Sequence, residues 1–100
     1  MSPSVRFLTP ALNEIAGATE YYLDEAPNAA AGLLDEIDAA LDRIGANPQI
    51  GSPTRRGARK YVLTRFPYSL IYRITTSGEI VVVALAHHRR RAGYWLKRLK

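Results

Sequence analysis

The chain contains no cysteine, which excludes disulfides and thiolate chemistry and permits a reducing compartment. Its only histidines are the neighbours His87 and His88. Neighbours on an extended strand point to opposite faces, so the pair cannot grip one metal ion, and no carboxylate stands close to them in sequence. A metal site is therefore not expected, and neither is a cofactor. The longest apolar run, Ile80 to Ala86, is too short to cross a bilayer, and the N-terminus lacks a basic start followed by an apolar stretch. These absences predict a soluble, cytoplasmic protein with no membrane contact. The sequence also lacks a glycine-rich phosphate loop, a Ser/His/Asp order with supporting context, paired carboxylates at catalytic spacing and any internal repeat.

A further scarcity concerns charge of one sign. The whole chain carries +5 over 100 residues, but the halves are opposed. Residues 1–50 hold two arginines against eight carboxylates, a balance of −6, whereas residues 51–100 hold twelve Lys and Arg against Glu79 alone, a balance of +11. Such an asymmetry sets up a lasting field that favours an anionic partner on one side, either nucleic acid or an acidic protein segment.

With 47% hydrophobic residues the chain is long enough for one two-layer domain spanning residues 1–100. Val5 to Leu8 is β-prone. Thr9 is placed to cap a helix, with Pro10 at its first position, where a missing N–H costs nothing. Leu12, Ile15, Ala16, Tyr22 and Leu23 form the expected buried stripe, and Pro27-Asn28 the expected end. A second helix carries Ala30, Leu33, Leu34, Ile37, Leu41 and Ile44 on one stripe and stops at Gly45-Ala-Asn-Pro48. The short connection predicts an antiparallel helical hairpin. Ile50 to Ala58, rich in Gly, Pro and Arg, reads as an exposed loop.

Three strands follow, from Tyr61 onwards. In the middle one Tyr68, Leu70, Tyr72 and Ile74 alternate with Ser69, Ile71, Arg73 and Thr75, so the first set should be core beneath the helices. Thr76-Ser-Gly78 makes the next turn. The unbroken run from Ile80 to Ala86 calls for burial on both faces and a central position, with the N-terminal strand on its free side. Residues 92–100, with Tyr94, Trp95 and Leu96 beside Lys97 and Arg98, read as a short helix or an ordered tail, either packed on the sheet or joined to a basic site.

Three basic clusters are candidates for function: Arg55, Arg56, Arg59 and Lys60; Arg65 and Arg73 on strands; and His87 through Arg91. In a meander the first and last clusters can converge. Convergent cations bind phosphate or stabilise the charge of an RNA-cleavage transition state, with a histidine carrying the proton. The plain alternative is a solvated surface.

Taken together, Gly51-Ser-Pro-Thr-Arg-Arg-Gly57, Arg65-Phe-Pro-Tyr-Ser-Leu-Ile-Tyr-Arg73, the segment from Val81 to Arg91, and Tyr94-Trp95 resemble the RelE/ParE superfamily of type II toxin–antitoxin toxins, nearer the ParE-like branch. The resemblance covers essentially the whole chain. It implies an α+β, two-layer fold of order β-α-α-β-β-β, with a helical hairpin on a mainly antiparallel sheet and a short C-terminal helix or tail. It implies a ParD-like or similar cognate antitoxin, whose acidic or amphipathic C-terminal segment wraps the toxin. It also implies one of two targets: DNA gyrase, blocked without nuclease chemistry, or ribosome-bound mRNA, cut without a metal.

Where the nuclease branch places its cations, this chain offers Lys60, Val62, Ser69 and Arg89, so two of four basic groups are missing. Arg73 or Arg90 are possible substitutes, and His87 or His88 possible acid–base groups. The count favours gyrase inhibition, with target contacts expected from Arg55, Arg56, Arg59, Lys60, Arg73, Arg89, Arg90, Arg91, Tyr94 and Trp95. The alternatives are a metal-independent, ribosome-dependent mRNA endonuclease using Lys60, His87, His88 and Arg89, and a non-toxic relative that only binds its partner.

Overall fold

A single strand, Ile80–His87 (β5), occupies the position on which the other elements are layered. The computed structural model describes residues 4–99. In chain order, β5 is preceded by β1 (Val5–Phe7), the helices α1 (Thr9–Glu25) and α2 (Pro27–Ala46), and the strands β2 (Ser52–Pro53), β3 (Arg59–Val62) and β4 (Tyr68–Ile74). The sheet order is β1-β5-β4-β3-β2, with β1 parallel to β5 and every other pair antiparallel. This is the expected two-layer α+β arrangement, extended by one short edge strand.

The helical hairpin covers one sheet face. Ala11 and Ala18 of α1, and Leu33, Ile37, Ala40 and Ile44 of α2, pack on Leu70, Tyr72, Ile80, Val82 and Leu85. The other face holds a second, smaller core, in which Trp95 and Leu99 of the tail cover Ala58, Ile71, Val83 and Ala84. The tail is thus an ordered layer closed by one 3₁₀ turn at Leu96–Arg98, and Lys100 lies outside the described residues.

A β-bulge in β5 serves both cores. Ile71 pairs with Ala84 and Tyr72 with Val82, so Val83 has no partner in β4. Val83 and Ala84 consequently both face the tail, and Leu85 returns to the helices. The strand alternates, but it changes phase once.

The local signals needed four corrections. Leu8, not Thr9, caps α1: it is extended, and its carbonyl accepts from the Ala11 and Leu12 N–H groups, while Thr9 is already helical. The buried stripe of α1 is Ala11, Glu14, Ile15, Ala18 and Tyr22, because small residues allow close approach to β5, whereas Leu12, Ala16 and Leu23 are exposed, as is Leu34 on α2. The boundary expected at Pro27-Asn28 exists, but the break falls on Ala26, and Pro27 already opens the second helix at N1. Finally, Ile50 to Ala58 is not wholly exposed: Gly51 and Ala58 are buried, and Ser52–Pro53 pairs with β3.

Two side chains fix the loops. The buried Tyr72 hydroxyl accepts from the Gly51 N–H at 2.9 Å and donates to the Pro48 carbonyl at 2.8 Å. Glu36 on α2 accepts from the Thr64 hydroxyl and from the Thr64 and Arg65 N–H groups, clamping the β3–β4 turn. Burial pushes the Glu36 carboxyl up, but these bonds and the Arg65 charge outweigh it, and its pKa lies below the ordinary 4.5.

A Cβ on Gly51 would stand 2.7 Å from the Tyr72 hydroxyl and 3.1 Å from the Lys60 carbonyl. Gly51→Ala should cost about 1–3 kcal/mol by overpacking, read as a lower urea midpoint at unchanged slope. Because the folded Glu36 pKa is depressed, its contribution is full above 4.5 and is lost as the pH falls through the lower folded value. Acid unfolding of Glu36→Gln should be flatter than that of the native chain over this window.

Candidate functional site

Strand register assembles the tail-side site. Lys60, Ile71 and Ala84 form one row across β3, β4 and β5, and Val62, Ser69 and Ala86 the next. Beyond His87 the chain turns back: the His88 N–H donates to the Pro67 carbonyl and the Arg90 N–H to the His87 carbonyl. The result is a recess of about 170 Å³, bounded by Lys60, Ser69, His88, Arg90, Arg91 and the tail segment 92–95. The predicted convergence of Lys60 with the cluster after β5 is present.

Both histidines have partners. His88 Nε2 lies 3.0 Å from the hydroxyl of Ser69, a residue only 2% exposed. His87 accepts the Arg89 N–H at Nδ1, so its neutral ring carries the proton on Nε2. The ring of His87 meets Tyr68 edge to face at 5.0 Å. As expected for neighbours, the two rings serve different sides: His88 the small recess, His87 mainly a larger groove.

That groove, of about 530 Å³, runs between α1 and the end of β5. Gly17 and Ala18 line its helix side, and Tyr21, Tyr22, Tyr68, Tyr94 and Arg90 surround it. A clasp centred on Glu14 separates groove from recess. Its carboxylate accepts from Tyr94 at 2.6 Å, from both terminal nitrogens of Arg98 at 2.8 and 3.1 Å, and from the Leu85 N–H at 3.1 Å. Arg98 also donates to the Val83 carbonyl. β1 accompanies β5 only as far as Val82, so beyond it this acid–base pair satisfies backbone groups that a longer neighbouring strand would have taken. The guanidinium of Arg90 stacks on Tyr94 at 3.9 Å.

The expected contact residues sort into several places. Lys60, His88, Arg90, Arg91, Tyr94 and Trp95 line the recess, although Trp95 is 5% exposed and contributes mostly to the core. Arg55 abuts it, donating to the Ala92 carbonyl. This approach requires Gly93, whose φ is +76° and where any Cβ would overlap the Arg55 guanidinium. Arg59 points to the helix side, donating to the Gln49 and Gly51 carbonyls. Arg56 sits exposed at a turn with φ 57°, and Arg89 is exposed and lines neither cavity at this end. Arg73 lies at the opposite end of the sheet face, with Arg6 and Arg98. Sequence reasoning missed Glu14 and Arg98. The available signal was a lone carboxylate three residues after Ala11 and four before Ala18, inside the apolar stripe.

Comparison with known proteins agrees with this fold. The family model described as "ParE toxin of type II toxin-antitoxin system, parDE" matches residues 5–92. The Sinorhizobium fredii protein Y4kP is 33% identical over 86 residues, covering 85% of this chain and 90% of its own. Toxin ParE1 of Mycobacterium tuberculosis is 42% identical over 59 residues, 56% of this chain and 58% of its own. Among solved structures, the chromosomal ParDE system of P. aeruginosa superposes with a TM-score of 0.73 at 21% identity, covering 86% of this chain and 96% of the other. The RelBE2 toxin–antitoxin complex of M. tuberculosis gives 0.57 at 24% identity, with 87% and 99% covered. At these identities the two structures speak to the fold alone.

Burial, with the hydrogen bond and negative charge of Glu14, pushes the Tyr94 phenol up to about 12, against the opposing charges of Arg98 and Arg90. The sign follows from the raised value: the clasp's contribution is full below pH 10 and is lost as the pH rises through 12. In an ultraviolet alkaline titration, Tyr94→Phe should remove a phenol ionising near 12, and Glu14→Gln should move it downward.

Proposed function

The chain belongs to the ParE toxin family of type II toxin–antitoxin systems, and we propose that it acts by inhibiting DNA gyrase and is held inactive by a cognate antitoxin. One observation carries the choice of target. In the row where nuclease chemistry needs cations, β3 and β4 present Val62, which is 50% exposed, and Ser69, which is buried against His88. Lys60 is the one cation that these two strands supply to the recess. Two missing charges remove much of the electrostatic stabilisation that a phosphoryl-transfer transition state requires. A rim of Arg90, Arg91, Lys60 and Tyr94 is instead well composed for a protein interface, where arginine and tyrosine are enriched.

The antitoxin reading is supported by the toxin–antitoxin assemblies among the solved relatives. It is supported too by charge: a basic second half suits an acidic segment, and paired opposite patches steer association.

The convergence of Lys60, His88, Arg90 and Arg91 favours a second reading, translation-dependent mRNA cleavage without a metal. The two readings separate in one set of assays. Purified toxin should stop gyrase supercoiling near stoichiometric amounts, and its expression without antitoxin should raise a DNA-damage response before translation falls. Supercoiling that persists at excess toxin overturns the gyrase reading. Growth that continues normally would make the chain a binding protein without toxicity. Replacing Arg90 and Arg91 by alanine should weaken inhibition roughly tenfold or more, the scale of a lost interface arginine. Ribosome-dependent cleavage that vanishes in Lys60→Ala and His88→Ala would establish the second reading.

A further inference from the structure

The tail-side face of the sheet carries a second cationic recess, at the opposite end from the site described above. Arg6, Leu8, Arg73, Thr75, Val81 and Arg98 enclose about 300 Å³. Strand register explains the grouping: Arg6 pairs with Val81 and Val81 with Arg73, one row across β1, β5 and β4. The two arginine backbones therefore stand two strand spacings apart, roughly 10 Å, and Arg98 reaches in from the tail.

The three guanidinium groups are unequally committed. Arg98 is held by Glu14 and the Val83 carbonyl. Arg6 uses Nε on Glu79 at 3.4 Å, with a side chain that remains 57% exposed. Arg73 is half-buried, and among the described residues it enters no ion pair. A guanidinium has five N–H donors and never loses its charge, so a partly covered arginine without an acceptor is a donor fork awaiting one.

We propose that the Arg6–Arg73–Arg98 recess is a phosphate-binding subsite and that its ligand is the backbone of a nucleic acid lying along this open face of the sheet. Arg73 offers its guanidinium from β4 and Arg6 its terminal nitrogens from β1, while Arg98, already held by Glu14 and the Val83 carbonyl, forms the tail-side wall of the recess. The basic recess at Lys60, His88, Arg90 and Arg91 lies on the same face, four residues along β4 if measured from Arg73 to Ser69. That is roughly 13 Å, a separation that phosphates of one backbone can span. A polymer with regularly spaced charge can fill both recesses while crossing the apolar tail between them. Glu14 on Arg98 and Glu79 on Arg6 offset two of the three charges at this recess and leave Arg73 as its unpaired cation among the described residues, while the other acidic residues of the first half lie on α1 and α2, the helices that cover the opposite face of the sheet. The subsite does not depend on gyrase being the target.

The test is binding of the full chain, without gyrase, to fluorescently labelled duplexes of two unrelated sequences, followed by anisotropy over a series of salt concentrations. The native chain should bind both duplexes alike, with log K falling linearly against log salt. Arg73→Ala and Arg6→Ala should each weaken both complexes alike and reduce the magnitude of that slope by about 1. Arg43→Ala, which removes an exposed cation of α2, should leave the slope unchanged. Circular dichroism confirms that each variant is folded, and Arg73→Lys, which keeps the charge, should restore most of the slope. A native slope in Arg73→Ala overturns the proposal. So does polyglutamate competing as well as duplex, which would mark a general anion patch, or free phosphate displacing duplex at equal phosphate concentration, which would mark an isolated ion site.

Discussion

Burial of β5 on both faces is the constraint from which the rest of the architecture follows. Its residues Ile80 and Val82 to Ala84 are at or near zero exposure, so each face needs its own cover. The helices supply one and the tail the other. A strand so placed can satisfy its backbone on one side through β4, but β1 is three residues long and leaves part of the other edge open. Glu14 and Arg98 close that edge with side chains. The pair brings together α1, the strand and the tail, three segments far apart in sequence, in an environment where an unpaired partner would be costly.

The same device shapes the site. Tyr94 hydrogen-bonds Glu14 and carries Arg90 on its ring, so the wall between the aromatic groove and the basic recess is held by the clasp that holds the fold. Because the tail must lie across the sheet to cover Ile71, Val83 and Ala84, it divides the basic face into two recesses. The acidic helices lie behind. A charge asymmetry already present between the halves of the sequence thereby becomes an asymmetry between the two sides of a molecule 22 Å thick along its shortest axis.

Much of this arrangement was legible in the sequence because it depends on periodicity. The Tyr68–Leu70–Tyr72–Ile74 alternation, the α2 stripe and the Val-rich run each carry their burial in their spacing. The errors arose where tertiary contact overrides local preference. Leu12 and Leu23 are better core residues than Ala11 and Ala18 by hydrophobicity alone, yet the alanines are inside because α1 lies close on β5. The bulge at Val83 was invisible, since valine follows valine on either side of it. Without the bulge, unbroken alternation from Ile80 would put His87 toward the tail and His88 toward the helices, the reverse of what the pairing produces.

Site residues were harder to read for a different reason. A run of arginines states how much charge is present but not which charges are already engaged. Arg55, Arg59, Arg65 and Arg98 donate to carbonyls or carboxylates within the fold and act as struts. Lys60, Arg73 and Arg91 face cavities and form no ion pair among the described residues. Strut arginines are paid for by contacts that are lost on unfolding, so their removal registers in stability. The remaining cations have little to contribute to folding, and their free energy becomes available when an external anion or acidic partner displaces water from them. In this chain, engagement within the fold separates the two roles more sharply than position in the sequence.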